Sequence, residues 1–510
     1  MENLRQKLKL FNYRPLVLLF LGLVGGVLVA NFIKEYTLTT IIGILICVSV
    51  LLFYSILHKK FKYLVITLLT FILGFGAFTL YTNARKYNPS DMNNKTAIGV
   101  VSKITTYDYG LFLLLEDVEV DGKKLDYNAT LMYYNTSQYA YIKLENGSKI
   151  EFEINSQEDI DYFDEQGLPN TFNFENNVGI KFTTDEVELL GRKDNTRYTI
   201  LGKIRRNLRY GFNNQNGEMV YSAMFGDKTY LNHELYDAYK TAGVAHLLAV
   251  SGLHVGLVVA IIYWLLNKFK VKGWARVAIV AVLLFGYAYL CDFSYSILRA
   301  SIMSLVLMIA PLVFREYDLL SSICFAGCLI ILIEPIALFD IGAQLSFSCV
   351  FGIAMLMPIF QRWFRKVRIN NGIKDGFSIS LATIISTAIF MAYYFRYIQP
   401  ISLVSNIILL PIFGVLFTLT FVVAILSLML PWICFLLNLI NPLFEWLNWA
   451  IIYIANLSTP ILTPNVNYLT IILFCVWLTF VSKFNLYKGL NKLTTVSVAT
   501  AILTLQIALI

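Results

Sequence analysis

The strongest constraint on the fold is the repetition of long apolar runs along the chain. Hydrophobic residues make up 57% of the 510 positions, whereas soluble domains contain about 45–50% apolar residues. A helix needs about 20 apolar residues to cross the roughly 30 Å hydrocarbon layer, and many runs reach that length. Because backbone polar groups in lipid must be satisfied within the segment, helices are favoured. The sequence therefore predicts a polytopic α-helical membrane protein.

We expect eleven to thirteen spans. Three of them precede residue 83, at about 15–33, 38–57 and 63–81, and the rest begin at residue 245. The later spans are predicted at about 245–266, 275–291, 296–314, 319–336, 341–360, 377–396, 401–430, 467–483 and 494–510.

Two apolar stretches are ambiguous. The 401–430 stretch is too long for one simple crossing, and Pro411 and Gly414 within it predict a broken or kinked helix. The 436–458 stretch contains Glu445, Trp446 and several Asn residues, so it is either a span or an interfacial helix.

Basic residues between the spans set the predicted orientation, because cytoplasmic loops are enriched in Lys and Arg. Basic clusters precede the first span, follow the second, and follow the spans that end near residues 266, 314, 360 and 483. One orientation places all of them on the cytoplasmic side. We therefore predict a multi-pass protein of the cytoplasmic (inner) membrane with a cytoplasmic N-terminus and residues 83–243 extracytoplasmic.

The polar region at 83–200 predicts a separate external β domain. Between residues 83 and 200 there are 12 Lys and Arg against 20 Asp and Glu, a balance of −8. Turn signals such as Asp121-Gly122 and Asn146-Gly147 separate short alternating segments. The predicted strands are 97–104, 111–120, 127–134, 149–154 and 179–190. Five short strands favour a small β-barrel, with an OB-like topology as one possibility.

These features divide the chain into four regions. We predict an N-terminal three-span region (1–82), the external β domain (83–200), amphipathic linker helices (201–243) and a transmembrane bundle (244–510). The linker carries a basic helical stretch, whose face we expect in water or among lipid headgroups, with nucleic acid as a less favoured partner. Its basic residues are Lys203, Arg205, Arg206 and Arg209.

Two of the four histidines lie in one apolar segment, where polar groups are costly and usually face a bundle interior or a water-filled path. His246 and His254 would be about 12 Å apart along an ideal helix. That is too far to share a metal ion unless the helix breaks near Gly252, so no metal site is predicted. Ser251 and His254 are three residues apart and can touch. An intramembrane serine hydrolase using this pair is an alternative, although no carboxylate is evident to orient the histidine.

Further polar residues recur near the ends of later spans. Arg299 needs a carboxylate, carbonyl groups or water around it, unless it snorkels to the interface. Gln344 and Asn406 are also typical of hydrogen bonds between helices. Several such groups on different spans predict a polar funnel that opens outward. The predicted lining residues are His246, Ser251, Gly252, His254, Arg299, Gln344, Ser346 and Asn406.

Three motifs, in this order along the chain, resemble the ComEC family of competence proteins, the inner-membrane channels for transforming DNA. They are Ala242–Leu257 (AGVAHLLAVSGLHVGL), Ile297–Met303 (ILRASIM) and Asp340–Phe347 (DIGAQLSF). The first is long and specific, and the other two support it. Three N-terminal spans followed by an external β domain are also similar to the family's layout. The resemblance implies passage of single-stranded DNA from the outer side into the cytoplasm.

The chain departs from the family pattern in two respects. Many members carry a C-terminal metallo-β-lactamase-like domain, a candidate nuclease, whereas no histidine follows His254 here. We therefore expect no nuclease activity in this chain. The acidic β domain should also repel phosphate on average, although it has aromatic residues suited to stacking on bases. These are Tyr107, Tyr109, Phe112, Tyr133 and Tyr134.

The resemblance and the residues together predict a non-enzymatic channel without cofactor, metal or catalytic residue. We expect Arg299 to contact phosphate at the entrance. Expected partners are single-stranded DNA, the lipid bilayer and a DNA-receptor protein. A separate cytosolic ATP-driven helicase or translocase is also expected, since no P-loop is present. A small-solute or lipid transporter on the same scaffold is a second alternative, and the oligomeric state stays open.

Overall fold

A computed structural model describes most of the chain. The described residues are 14–32, 61–87, 89–107, 110–134, 144–164, 167–193, 195–212, 214–368, 370–463, 466–481 and 500. The predicted spans at 38–57 and 494–510, and the basic residues before residue 14, lie outside these ranges. The chain forms two compact units: a sheet unit (Leu21–Lys203 with Ile331–Asp340) and a helical unit (Met1–Phe20, Ile204–Ile330 and Ile341–Ile510).

The first and third predicted spans are helices. Helix α1 is Pro15–Phe32 and α2 is Phe61–Ala84. They pack through glycines: a Cβ atom on Gly26 would lie 2.1 Å from the Phe71 carbonyl oxygen, and one on Gly74 would lie 2.4 Å from that of Leu23. Small residues at a contact between two membrane helices let the helices approach closely.

The polar region contains the β-strands that its alternating pattern predicts, and they form a mixed sheet. Its elements are β1 (Thr96–Tyr107), β2 (Gly110–Val120), β3 (Lys123–Lys124), β4 (Asn128–Tyr133), β5 (Ser148–Glu153), β6 (Ser156–Glu158), helix α3 (Thr171–Glu175), β7 (Val178–Thr184) and β8 (Val187–Arg192). The first four predicted strands match β1, β2, β4 and β5. The predicted fifth strand is two strands, because the chain turns at residues 185–186.

The strand order is β6-β7-β4-β2-β1-β5-β8, with β3 paired to β2. Strands β1, β2 and β4 follow one another, and β5 returns to lie antiparallel beside β1. This is the strand order of a Greek key. Strand β7 then adds to β4 in parallel. Among the described strands this path is open, so the predicted closed barrel is not confirmed.

The rest of the chain is helical. The helices are α4 (Thr196–Gly211), α5 (Asn214–Phe225), α6 (His233–Thr241), a 3-10 helix (Ala245–Leu248), α7 (Gly252–Lys268), α8 (Gly273–Leu290), α9 (Tyr295–Ile309), α10 (Leu319–Ile333), α11 (Ile341–Phe364), α12 (Asn371–Phe395), α13 (Ser402–Leu426), α14 (Phe435–Leu457) and α15 (Tyr468–Val481). The two-residue strands β9 (Tyr397–Ile398) and β10 (Ile461–Leu462) pair with each other.

Seven described helices are long and apolar enough to cross a membrane, and α1, α7 and α10 are shorter apolar helices. Of the broken or kinked helix predicted within 401–430, the break is not observed, because α13 runs through Pro411 without interruption. Neighbouring helices can compensate for the hydrogen bond that a proline removes. Helix α5, in the predicted linker, is largely buried, from Asn216 to Phe225.

Helices α11 and α12 form a long antiparallel pair. Tyr394 donates to Gln344 at 2.9 Å near one end, and Gln361 donates to Asp375 at 2.8 Å near the other. Between these bonds, a Cβ atom on Gly352 would lie 2.1 Å from Oγ of Ser386. The start of α11 and the end of α12 therefore lie at the same end of the helical unit.

Candidate functional site

The first motif does not form the single span predicted at 245–266. Residues 245–248 are a 3-10 helix, Ser251 is extended (φ −120°, ψ 162°), and α7 begins at Gly252. His246 and His254 therefore lie on different elements, and His246 is exposed whereas His254 is buried. Within the described ranges, no three His, Cys, Asp or Glu residues are grouped so that they could hold a metal ion.

His254 is sealed in an aromatic setting on the first turn of α7. Its side chain is fully buried, and its ring stacks on Phe417 of α13 at 4.2 Å between centroids, with Phe413 at 5.8 Å. The Ser251 backbone N–H donates to Nδ1 at 3.4 Å. Nε2 is buried and has no hydrogen-bond partner among the described residues. Since buried polar atoms are nearly always paired, Nε2 is a position where a water or ligand is expected.

The same geometry does not support a serine hydrolase. A nucleophilic serine needs its hydroxyl within hydrogen-bond reach of the base. Here the backbone amide of Ser251, and not its hydroxyl, contacts Nδ1 of His254. The Ser251 and His254 side chains do not form the predicted pair in this structure.

Arg299 lies next to the start of α7. It is 5% exposed, Nε donates to Oγ of Ser346 at 3.0 Å, and Nη1 lies 3.7 Å from the sulfur of Met303. No carboxylate of the described residues forms an ion pair with it. A buried charge without a counter-charge is strongly unfavourable. The guanidinium is therefore a cation in need of an anion or water.

Gly252 makes room for this guanidinium. A Cβ atom at residue 252 would lie 2.7 Å from Nη2 of Arg299. The approach brings the cation to the first turn of α7, and backbone N–H groups in the first turn of a helix also favour anions. Gly252, Arg299 and Ser346 thus form a cluster that contains one predicted residue from each of the three sequence motifs.

The other predicted residues lie apart from this contact. Gln344 accepts from Tyr394 across the α11–α12 pair, so it faces α12, whereas Ser346 faces α9. Asn406 lies on α13, and its Oδ1 is buried and has no hydrogen-bond partner in the described part of the chain. The helical repeat of 3.6 residues puts Asn406, Phe413, Phe417 and Thr420 on one face of α13. The hydroxyl of Thr420 is also buried, and no described residue forms a hydrogen bond with it.

The basic stretch on α4 divides into two groups. Arg205 forms a bidentate ion pair with Glu218 of α5 at 2.9 Å and lies 3.1 Å from the ring centroid of Tyr230. This residue holds two helices together. Lys203, Arg206 and Arg209 are exposed, and Nε of Arg209 also lies 3.5 Å from the Glu218 carboxylate. Glu218, the partner of Arg205, is buried, and no pattern in the sequence indicates this.

Apolar helices that enclose a buried cation and unpaired polar atoms, joined to a separate sheet unit, define a multi-pass membrane protein with a polar site inside its bundle. The chain belongs to the competence protein family. The family model described as Competence protein matches residues 223–485, about half of the chain, and this range includes every member of the site.

The chain is also similar to three curated bacterial proteins over part of its length. The chain is 25% identical over 249 residues to ComE operon protein 3 of Bacillus subtilis, which covers 48% of this chain and 31% of that protein. It is 24% identical over 202 residues to Competence protein ComA of Neisseria gonorrhoeae, and the match covers 37% of this chain and 27% of that protein. It is 26% identical over 156 residues to Recombination protein 2 of Haemophilus influenzae, and the match covers 29% of this chain and 19% of that protein. The chain thus spans less than a third of the length of these relatives. No solved structure matches it.

Proposed function

We propose that the chain conducts single-stranded DNA across the cytoplasmic membrane during DNA uptake, without catalysing a chemical step. Its family and the competence names of its relatives support a role in uptake. The observation that carries the proposal is Arg299, a buried cation that forms no ion pair with any carboxylate of the described residues. A phosphodiester group supplies the missing negative charge, and guanidinium groups bind phosphate oxygens well.

The face of α13 that covers His254 suits a nucleic-acid strand. Nε2 of His254 is a buried donor and Oδ1 of Asn406 a buried acceptor, and neither has a hydrogen-bond partner among the residues that the structure describes. The rings of Phe413 and Phe417 lie on the same helix face, and stacking on aromatic rings tolerates any base. Polar groups of a passing strand would satisfy these atoms. The strand would reach the two buried rings only where α13 separates from α7.

In this proposal the sheet unit is an OB-like domain on the outer side of the membrane. The Greek-key order of β5-β1-β2-β4 supports this assignment, since OB-folds are partly open Greek-key barrels. Of the aromatic residues predicted to stack, Tyr133 is buried in the sheet core and Tyr134 is 46% exposed. Phe112 packs on Phe172 at 5.7 Å. The side chain of Tyr107 and the whole of Tyr109 lie outside the described residues.

The proposal needs partners, because a channel alone does not drive a polymer in one direction. We propose a DNA-receptor protein on the outer side and an ATP-driven helicase or translocase in the cytosol. The proposed orientation has a cytoplasmic N-terminus and residues 83–243 outside.

Replacing Arg299 tests the function. In a competent host lacking the native gene, we expect Arg299→Leu to reduce uptake of labelled single strands at least tenfold. The reason is that a hydrogen bond to a charged group contributes about 1.5–3 kcal/mol. Arg299→Lys keeps the charge and should retain part of the uptake. Transformation frequency and labelled DNA in the cytoplasm are the measurements.

The matched control is Arg315→Leu, which removes an exposed arginine from the turn after α9. It should leave uptake near the wild-type level. Immunoblotting of membranes checks that every variant is inserted in equal amount. Wild-type uptake by a well-inserted Arg299→Leu protein, or wild-type transformation in the strain without the gene, would contradict the proposal.

A further inference from the structure

We propose that α13 and α14 do not cross the bilayer but lie along one leaflet, at the end of the helical unit where α9 and α11 begin. Their exposed apolar faces would be immersed in phospholipid acyl chains. The inference concerns the membrane as a partner, and it does not depend on whether the protein conducts DNA. It rests on where the two ends of α13 are held.

The α9–α11 contact defines one end of the bundle, here called the site end. Arg299 is the fifth residue of α9 and Ser346 is the sixth of α11, and their hydrogen bond puts both helix starts at the same level. Helix α8 ends at Leu290, only five residues before α9 begins, so its last turn is at the site end as well. The bond between Tyr394 and Gln344 adds the end of α12.

Both halves of α13 contact the site end. Its first residue, Ser402, follows the end of α12 by seven residues. The ring centroid of its Phe421 lies 5.6 Å from that of Tyr287, in the last turn of α8. Its Phe417 stacks on His254 in the first turn of α7. If α13 ran antiparallel to α12, Phe421 would be about 28 Å from the site end, at 1.5 Å per residue. There it would be near the start of α8 and not its end.

A helix laid across the bundle fits these contacts. Packed helices are about 8–10 Å apart. The path from α12 through α11 and α9 to α8 crosses three such spacings, or roughly 24–30 Å. That distance matches the length of α13 from Ser402 to Phe421.

Polar and aromatic residues near the middle of α14 point to the same arrangement. Glu445 is the eleventh of 23 residues, and its side chain is exposed. Trp446 and Trp449 beside it are 47% and 61% exposed. In a spanning helix these residues would face lipid at the centre of the bilayer, where a carboxylate is costly. Trp residues are enriched at the membrane–water interface, and an in-plane helix places all three there.

The turn between the two helices carries further features of an interfacial surface. Met429 and Trp432 are 84% and 66% exposed. The C-terminal half of α4 packs on this turn: Asn207 donates to the Ser427 carbonyl at 3.2 Å. The same half of α4 carries the exposed residues Arg206 and Arg209. Basic residues next to exposed apolar side chains fit a leaflet that contains anionic phospholipid.

Cysteine labelling tests the topology in the full-length protein. In a background without native cysteines, single cysteines are placed before α13 (Pro400→Cys), in the α13–α14 turn (Met429→Cys) and in the α11–α12 turn (Lys366→Cys), all at exposed positions. An impermeant maleimide is applied to intact cells and to inside-out vesicles. We expect the residue-400 and residue-429 variants to react from one side and the residue-366 variant from the other. If the residue-429 variant reacts from the same side as the residue-366 variant, α13 crosses the membrane and the proposal is overturned.

A depth measurement gives a second, independent test on α14. A spin label on Glu445→Cys in liposomes should show the accessibility to a polar relaxation agent that is typical of the headgroup region. A label at residue 283 of α8 (Leu283→Cys, 47% exposed at mid-helix) is the deep control. Equal depth for the two labels would overturn the proposal even if the labelling variants were poorly inserted.

Discussion

Arg299 and Gly252 depend on each other at the scale of single residues. The guanidinium approaches the first turn of α7 only because residue 252 has no Cβ atom, which would lie 2.7 Å from Nη2. The sequence alone does not show why a glycine stands at this position of an apolar run. In the structure, the guanidinium of Arg299 from another helix occupies the space where a side chain of residue 252 would lie.

Gly252→Ala should therefore move the guanidinium without removing its charge. We expect uptake of labelled DNA to fall several-fold and the protein to remain inserted, since the clash involves the flexible end of a side chain. Gly256→Ala is the matched control, because a Cβ atom there has no neighbour within 4 Å. Equal uptake by the two variants would show that the position of Arg299 is unimportant.

Asp117 shows how the sheet unit responds to acid. It lies at an irregularity of β2 with φ +49°, and Lys124 donates to its carboxylate at 2.6 Å, with a second hydrogen bond from Lys193. These hydrogen bonds lower the pKa of Asp117 from its ordinary value of 3.8. A carboxyl group with a lowered folded-state pKa contributes stability above its unfolded pKa and loses it as the pH falls through the folded value.

Asp117→Asn should lower the thermal unfolding midpoint of the detergent-solubilised protein at pH 7. The difference from wild type should shrink as the pH falls below the ordinary carboxyl pKa of 3.8 and through the lowered folded-state pKa. The contribution is at most about 1 kcal/mol, because exposed ion pairs are screened. Asp121→Asn is a close control: Asp121 has the same φ of +49°, but its ion pair with Lys95 is 4.0 Å long. A similar effect of both substitutions at every pH would exclude the lysine contacts as the cause.

At the scale of elements, the sequence predicted the strands better than the helix that carries the motif. Alternation of buried and exposed side chains is a local signal, and four of five predicted strands match observed ones. The start of α7 was predicted seven residues too early. An apolar composition does not distinguish a 3-10 turn and an extended residue at Ser251 from a continuous helix.

The sequence predicts the polar residues of the site but not the aromatic residues that enclose them, and the reason is physical. Arg299 and His254 are polar residues in apolar segments, so the sequence marks them as costly and therefore functional candidates. Phe413 and Phe417 carry no such mark, because phenylalanine is ordinary in an apolar helix. Only the packing of α13 over α7 shows that they enclose His254.

At the scale of the whole molecule, the balance of charges divides the chain. Residues 83–200 have a balance of −8, whereas the entire chain has a net charge of +8. The excess of basic residues falls mainly in short turns between apolar helices. Such a distribution orients a membrane protein and does not by itself indicate nucleic-acid binding. It follows that the acidic sheet unit and the basic turns should lie on opposite sides of the membrane.

This orientation is testable with two exposed positions in the sheet unit and one in a basic turn. Single cysteines replacing Asp161 or Lys149 should react with an impermeant thiol reagent on intact cells, whereas Arg365→Cys should react only after the membrane is opened; all three residues are exposed. Reaction of the residue-365 variant in intact cells, with protection of the other two, would reverse the orientation. Arg299 and the start of α7 would then face the cytoplasm, and the buried cation would have to act at the exit of the path instead of its entrance.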